Sequence, residues 1–206
     1  MEAPLTICYT SRLRGDLALL PRLYTFLRAL RERHATHRLL LLDLGESCHP
    51  SVWPCDLTGG RSMLIALDAM GYDAANVEGV LTPELREALL PSVRLALVDR
   101  DHPWMHDEWT VCVGSMPTRH INLMPASRVS VEGQGVRLAA VEAGQVGSVT
   151  LQRSSGRVTV TDMQVLNLPS KTLPDSTIAG VVDFITAEAR YLQKRRDRTV
   201  GGAGQP

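Results

Sequence analysis

Residues 38–43 read Arg38-Leu-Leu-Leu-Leu-Asp43, four consecutive leucines closed by a charge at each end. Side chains leave a strand alternately to its two faces, so a run with no polar position predicts a strand covered on both sides. Toward the N-terminus, Asp16 to about Arg33 carries Leu20, Leu23, Leu27 and Leu30 at three- and four-residue spacing with arginines between them. That period predicts an amphipathic helix, with Pro21 tolerated in its first turn. Before it, Leu5-Thr-Ile-Cys-Tyr-Thr10 reads as another buried strand. Strand, helix and strand in this order make a parallel pair, and the expected class is α/β.

Toward the C-terminus, a helix is expected from about Arg61 to Met70, stopped by Gly71, and then a short strand near Ala74 to Val77. Thr82-Pro-Glu-Leu opens a third helix, with Thr82 as N-cap and Pro83 at its first position; Val93 to Val98 is again strand-like. Beyond Asp99 the chain turns β-rich. Short alternating strands are expected at Trp109–Val113, His120–Leu123, Arg128–Val131, Val136–Val141, Ser148–Gln152 and Arg157–Leu166, with a hairpin turn at Ser154-Ser-Gly156. Leu173-Pro-Asp-Ser leads into a final helix whose Ile178, Val181, Val182, Ile185 and Leu192 share one face. The reading is one layered α/β domain over residues 1–193 and a disordered tail over 194–206, with no internal repeat.

The 206 residues include 22 basic and 22 acidic side chains and nine aromatic ones. A net charge of zero and so few aromatics argue against a nucleic-acid binder and against a stacking groove for bases or sugars. No apolar run reaches the roughly 18 residues of a membrane span, and the N-terminus lacks the pattern of a secretory leader. A cytoplasmic location is therefore expected, with Cys8, Cys48, Cys55 and Cys112 as reduced thiols. Lys194-Arg-Arg-Asp-Arg198 complements the dipole at a helix C-terminus. Neither a phosphate-cradling glycine loop nor a Gly-x-Ser-x-Gly elbow is present.

The ends of the first two strands carry recognisable chemistry. Ile7-Cys-Tyr-Thr-Ser-Arg-Leu-Arg-Gly15 ends the first, Leu41-Leu-Asp-Leu-Gly-Glu-Ser47 ends the second, and Gly71-Tyr-Asp-Ala74 precedes Val77-Glu-Gly-Val80. In order and placement these segments resemble the calcineurin-like metallophosphatase domain of the 5'-nucleotidase type. That family's strands end in His-Thr-Asn-Asp-x-His-Gly, Leu-Leu-Asp-x-Gly-Asp-Ser and Gly-Asn-His-Glu. The stretch Glu142–Leu151 and the pair Pro174-Asp175 resemble its closing elements. Between Val80 and Glu142 this chain is much shorter, and no Gly-His-x-His pair is found.

The resemblance implies a truncated layered sandwich whose remnant site is Asp43, Glu46 and Gly79. Arg12 and Arg14 take the places of an acidic and an imidazole ligand, and a guanidinium offers no lone pair to a cation. A catalytically inactive domain acting in binding or assembly is expected, without a cofactor. Glu46 then forms an ion pair with one of these arginines, or Arg12 and Arg14, with Ser11 beside them, bind phosphate or another anion. His120 is weighed as a relic of the family's histidines, with a structural role preferred. Losing the central segment should uncover strand edges and apolar sheet surface, for which a homodimer is the simplest cover. The alternative is a metal-dependent phosphoesterase or nucleotidase with a rearranged divalent-metal site. Its ligands would come from Glu46, Cys48, His49 and Cys55, or from His102 and His106, which would share a face if their segment were helical.

Overall fold

The structure is a computed structural model that describes residues 3–34, 38–49, 51–154 and 157–201. Strand β1 (Leu5–Thr10), helix α1 (Leu20–Arg33) and strand β2 (Arg38–Asp43) form the expected unit, β1 and β2 pairing in parallel from Leu5 opposite Arg38 to Thr10 opposite Asp43. Helix α1 begins four residues later than its apolar spacing suggests. Arg14 and Gly15 hold left-handed φ angles, and Asp16 Oδ1 accepts from the Leu19 amide at 3.2 Å, so a turn precedes the helix that Pro21 opens.

A short helix α2 (Cys55–Thr58), then α3 (Arg61–Ala69), β3 (Ala74–Asn76), α4 (Pro83–Leu89) and β4 (Ala96–Val98) extend the parallel sheet. Thr82 caps α4 as expected, its hydroxyl accepting from the Leu85 amide at 3.3 Å. Five strands follow: β5 (Trp104–His106), β6 (Trp109–Cys112), β7 (His120–Ala126), β8 (Ser130–Glu132) and β9 (Gly135–Ala139). They form a second sheet in the order β5-β6-β7-β9-β8. Strands β10 (Gln145–Ser154) and β11 (Arg157–Asn167) return as a hairpin to the first sheet, whose order is β11-β10-β1-β2-β3-β4. Ser154 pairs with Arg157; residues 155 and 156 of the expected turn lie outside the described residues.

The leucine run is explained by its position between two cores. Leu40 and Leu42 face the second sheet with Ile7, Tyr9, Val111, Ile121 and Val136. Leu39 and Leu41 face the helices with Leu23, Leu27, Met63, Leu67 and Ile185. No helical residue belongs to the first of these clusters, so the layers run helices, sheet, sheet. The rings are closely fitted: a Cβ at Gly147 would lie 2.1 Å from Cζ of Tyr9.

Two expectations are corrected. Residues 104–106, in the segment that would have to be helical for His102 and His106 to share a face, are strand β5, turned onto β6 through Asp107 in a left-handed conformation. The final helix α5 spans Ser176–Gly201, so residues 194–201 of the expected disordered tail are helical; 202–206 lie outside the described residues. Arg196 anchors this extension through an ion pair with Asp56 at 3.2 Å, and Arg195 lies over the Tyr191 ring.

Candidate functional site

Beyond Thr10 and Asp43 the two central strands stay joined by their backbones. Leu44 N donates to Thr10 O, Arg12 N to Gly45 O, Arg14 N to Glu46 O and Gly15 N to Ser47 O, at 2.8–3.0 Å. The loops achieve this by placing Arg12, Arg14 and Glu46 at φ of 57°, 48° and 56°, three of the four left-handed non-glycine residues in the described structure. Each such residue costs about 1–2 kcal/mol relative to an ordinary conformation. The conformation aims all three side chains to one end of the sheet, outside the carboxyl ends of parallel strands, where ligands of open α/β sheets bind.

These side chains form an ion-pair chain. Arg12 Nη1 lies 2.5 Å from Glu142 Oε1, Arg12 Nε lies 3.8 Å from Glu46 Oε1, and Arg14 Nη2 lies 3.1 Å from Glu46 Oε2. The hydrogen bond that Arg12 donates to Glu142, with the charges of Glu142 and Glu46, holds the Arg12 guanidinium above its ordinary pKa. Arg12 Nε is buried and makes no hydrogen bond. The expected pair between Glu46 and an arginine is thus present with both arginines, and Glu142 is an additional member.

Beneath the chain, Asp43 is buried. Desolvation pushes its carboxyl up to about 6, against the opposing pull of Ser47, the Gly45 amide and Thr10. Gly45 N donates to Asp43 Oδ2 at 3.2 Å, Thr10 Oγ1 donates to Oδ1 at 3.3 Å, and Thr10 Oγ1 meets Tyr72 Oη at 2.9 Å. Ser47 Oγ is buried without a hydrogen bond of its own. Ser11 is withdrawn from the site. Its hydroxyl donates to Val141 O at 2.6 Å and accepts from Val141 N at 2.8 Å, so it fastens the loop rather than facing an anion.

Gly79, at φ +70°, lines a separate cleft of about 440 Å³ with Glu78, Arg86, Asp99, Asp101 and His102. Asp99 accepts from Arg86 at 2.9 Å and from His102 Nδ1 at 2.7 Å. Burial raises its pKa, and the pull of His102, Arg86 and the Asp101 amide outweighs that and leaves it below the ordinary value.

The alternative metal ligands are not brought together. Cys48 and Cys55 form a disulfide, which corrects the expectation of reduced thiols. Cys55, the first residue of helix α2, has its Cα 5.7 Å from that of Cys48, a separation that a bridge spans. His49 Nδ1 bonds Ser51 Oγ at 2.7 Å, His102 is held by Asp99, and His106 sits on β5 against Trp104. Because residues 104–106 are a strand, His102 and His106 share no helix face. His120 is buried, bonded to Thr118 O at 2.8 Å and packed over Gly135, the structural role preferred for it. Among the described residues no three His, Cys, Asp or Glu side chains are grouped to hold a metal ion.

Sequence reasoning missed Glu142, Thr10, Tyr72 and Asp99. Glu142 lies 130 positions from Arg12, and no local pattern marks it. Asn76 was also missed: its Nδ2 donates to Leu44 O at 3.0 Å and Leu123 O at 3.3 Å, tying the second loop to the second sheet.

By sequence, neither a protein-family model nor a curated protein matches the chain. By structure it is similar to the calcineurin-like phosphoesterase YfkN from Bacillus subtilis, with a TM-score of 0.60 and 11% identity over 94% of this chain and 100% of that one. It is also similar to the sulfate thiohydrolase SoxB of Thermus thermophilus, solved with glycerol, with a TM-score of 0.66 and 12% identity over 91% of this chain and 61% of that one. The chain therefore has the mixed α/β fold of calcineurin-like phosphoesterases.

Proposed function

We propose that this metallophosphatase-like domain does not hydrolyse phosphoesters at a two-metal centre and works instead as a binding module, with Arg12 and Arg14 receiving phosphate or a similar oxyanion. The observation that carries the reading is the ion-pair chain Glu142–Arg12–Glu46–Arg14 at the strand ends. Two-metal hydrolysis needs clustered carboxylate and imidazole donors. On the sequence resemblance Arg12 and Arg14 stand where two of those donors would be, and the carboxylates and arginines grouped here do not fit a pair of divalent ions. A rearranged hydrolytic site lacks support for the same reason, since Glu46 is engaged by arginines and both nearby thiols are in a disulfide.

Anion binding is compatible with the internal carboxylates because the four side chains are one-third to two-thirds exposed, and exposed ion pairs contribute only about 0–1 kcal/mol. A phosphate dianion offers more charge and a matching set of acceptor oxygens to the two planar guanidinium groups.

The test is thermal stability against inorganic phosphate at constant ionic strength, alongside a phosphodiester assay with added manganese. The expected result is a concentration-dependent rise in melting temperature, absent in Arg12→Ala and Arg14→Ala, with no turnover. Turnover lost in Glu46→Ala, or stabilisation unchanged in both arginine variants, overturns it.

A further inference from the structure

Helix α5 turns Ile178, Ile185 and Ala189 inward and packs on α1, α2 and α3. Its opposite face is open and is not polar. Phe184 is 64% exposed and Tyr191 61% exposed, in a chain with only two phenylalanines and four tyrosines. The two rings are one heptad apart, and Gly180 and Ala187 alternate with them, so Gly180, Phe184, Ala187 and Tyr191 form one seam along the helix. Ala187 is exposed, and a Cβ built on Gly180 would meet nothing within 4 Å. Each large side chain thus stands beside an open shallow position.

We propose that this seam is a homodimer interface in which α5 pairs antiparallel with α5 of a second copy, Phe184 seating on the partner's Ala187 and Tyr191 on the partner's Gly180. One two-fold axis produces both contacts, and each again in reverse, because the large and small positions are related by the same midpoint. The surface is complementary to itself in shape.

Charge sets the direction. Asp183 and Arg190 flank the seam on one side, both exposed and neither in an ion pair among the described residues. The antiparallel arrangement places Asp183 beside the partner's Arg190, twice per dimer. A parallel arrangement would instead place Asp183 beside the partner's Glu188 and Arg190 beside the partner's Arg195, like charges in both cases. At larger scale, residues 176–189 carry no basic side chain, whereas Arg190, Lys194, Arg195 and Arg198 crowd the other end. Antiparallel pairing separates the two basic ends; parallel pairing would force them together. The interface is independent of whether the strand-end arginines take an anion.

The experiment is light scattering and sedimentation equilibrium on the full chain from about 1 to 100 micromolar, a range that brackets a micromolar dissociation constant. The expected wild type is a dimer. Phe184→Glu and Gly180→Leu should run as monomers with unchanged circular dichroism. Asp183→Arg and Arg190→Asp should each raise the dissociation constant by about tenfold, and the double reversal should restore it. A wild type monomeric throughout overturns the proposal. So does a dimer indifferent to Phe184→Glu and to the single reversals, or one that the single reversals tighten, which would mean parallel helices.

Discussion

Arg12 Nη1 lies 2.5 Å from Glu142 Oε1, closing the loop after the first strand onto the loop that enters β10. The contact competes directly with any anion that approaches the guanidinium. Its strength therefore sets how readily the strand-end site opens.

Glu142→Gln removes that competitor while keeping the side chain's length. Phosphate affinity should rise by about three- to tenfold, and folding stability should change by no more than about 1 kcal/mol, because the pair is exposed. Calorimetric titration of the variant and the wild type checks both. Unchanged affinity would mean that the anion does not use Arg12.

Asp43 makes stability depend on pH. Its folded pKa of about 6 lies above its ordinary 3.8, so between these values the unfolded chain has released the proton while the folded chain keeps it. Stability should therefore fall as pH rises from about 4 to 6, by roughly 2 kcal/mol, and stay lower above that range. Urea denaturation at a series of pH values should show this slope in the wild type and lose it in Asp43→Asn.

The Cys48–Cys55 bridge lies against Gly15, where a Cβ would come within 3.3 Å of Cys55 Sγ, and Gly15 is bonded to Ser47 in the joined loops. Intact-mass analysis after alkylation without reductant should find two free thiols, Cys8 and Cys112, and four after reduction. Both are buried, and burial pushes Cys112 up to about 11, so labelling requires unfolding. Cys55→Ser should cost roughly 2 kcal/mol of stability. Disulfides persist in oxidising compartments, so the bond weighs against a cytoplasmic location. No helix among the described residues is long and apolar enough to cross a membrane.

Gly147→Ala tests the fit between the neighbouring strands β1 and β10 of the first sheet. The added methyl would collide with the Tyr9 ring at the position where β1 and β10 pair. A loss of about 1–3 kcal/mol in chemical denaturation is expected.

Much of the architecture was legible in local patterns. Four leucines in a row required two apolar faces, and the structure supplies the helices on one side and the second sheet on the other. The three- and four-residue leucine spacing located α1, and Thr82-Pro83 located the start of α4. Strand β5 was hidden because Asp101-His-Pro-Trp-Met-His-Asp107 is polar and lacks the alternation of a half-buried strand; its order comes from pairing with β6.

For the site, the sequence determined which charges stand at the strand ends, and hence that Arg12 and Arg14 could meet Glu46. Hydrophobic period is a property of neighbouring residues, readable wherever the chain must hide one face from water. Only the tertiary structure decided that Glu142 completes the ion-pair chain, that Ser11 is bound to Val141, that Cys48 and Cys55 are joined, and that α5 leaves Phe184 and Tyr191 largely exposed. Ion pairs, hydroxyl partners, thiol proximity and residual exposure depend on distances between segments far apart in the chain. Those distances exist only once both faces of the central sheet have been packed.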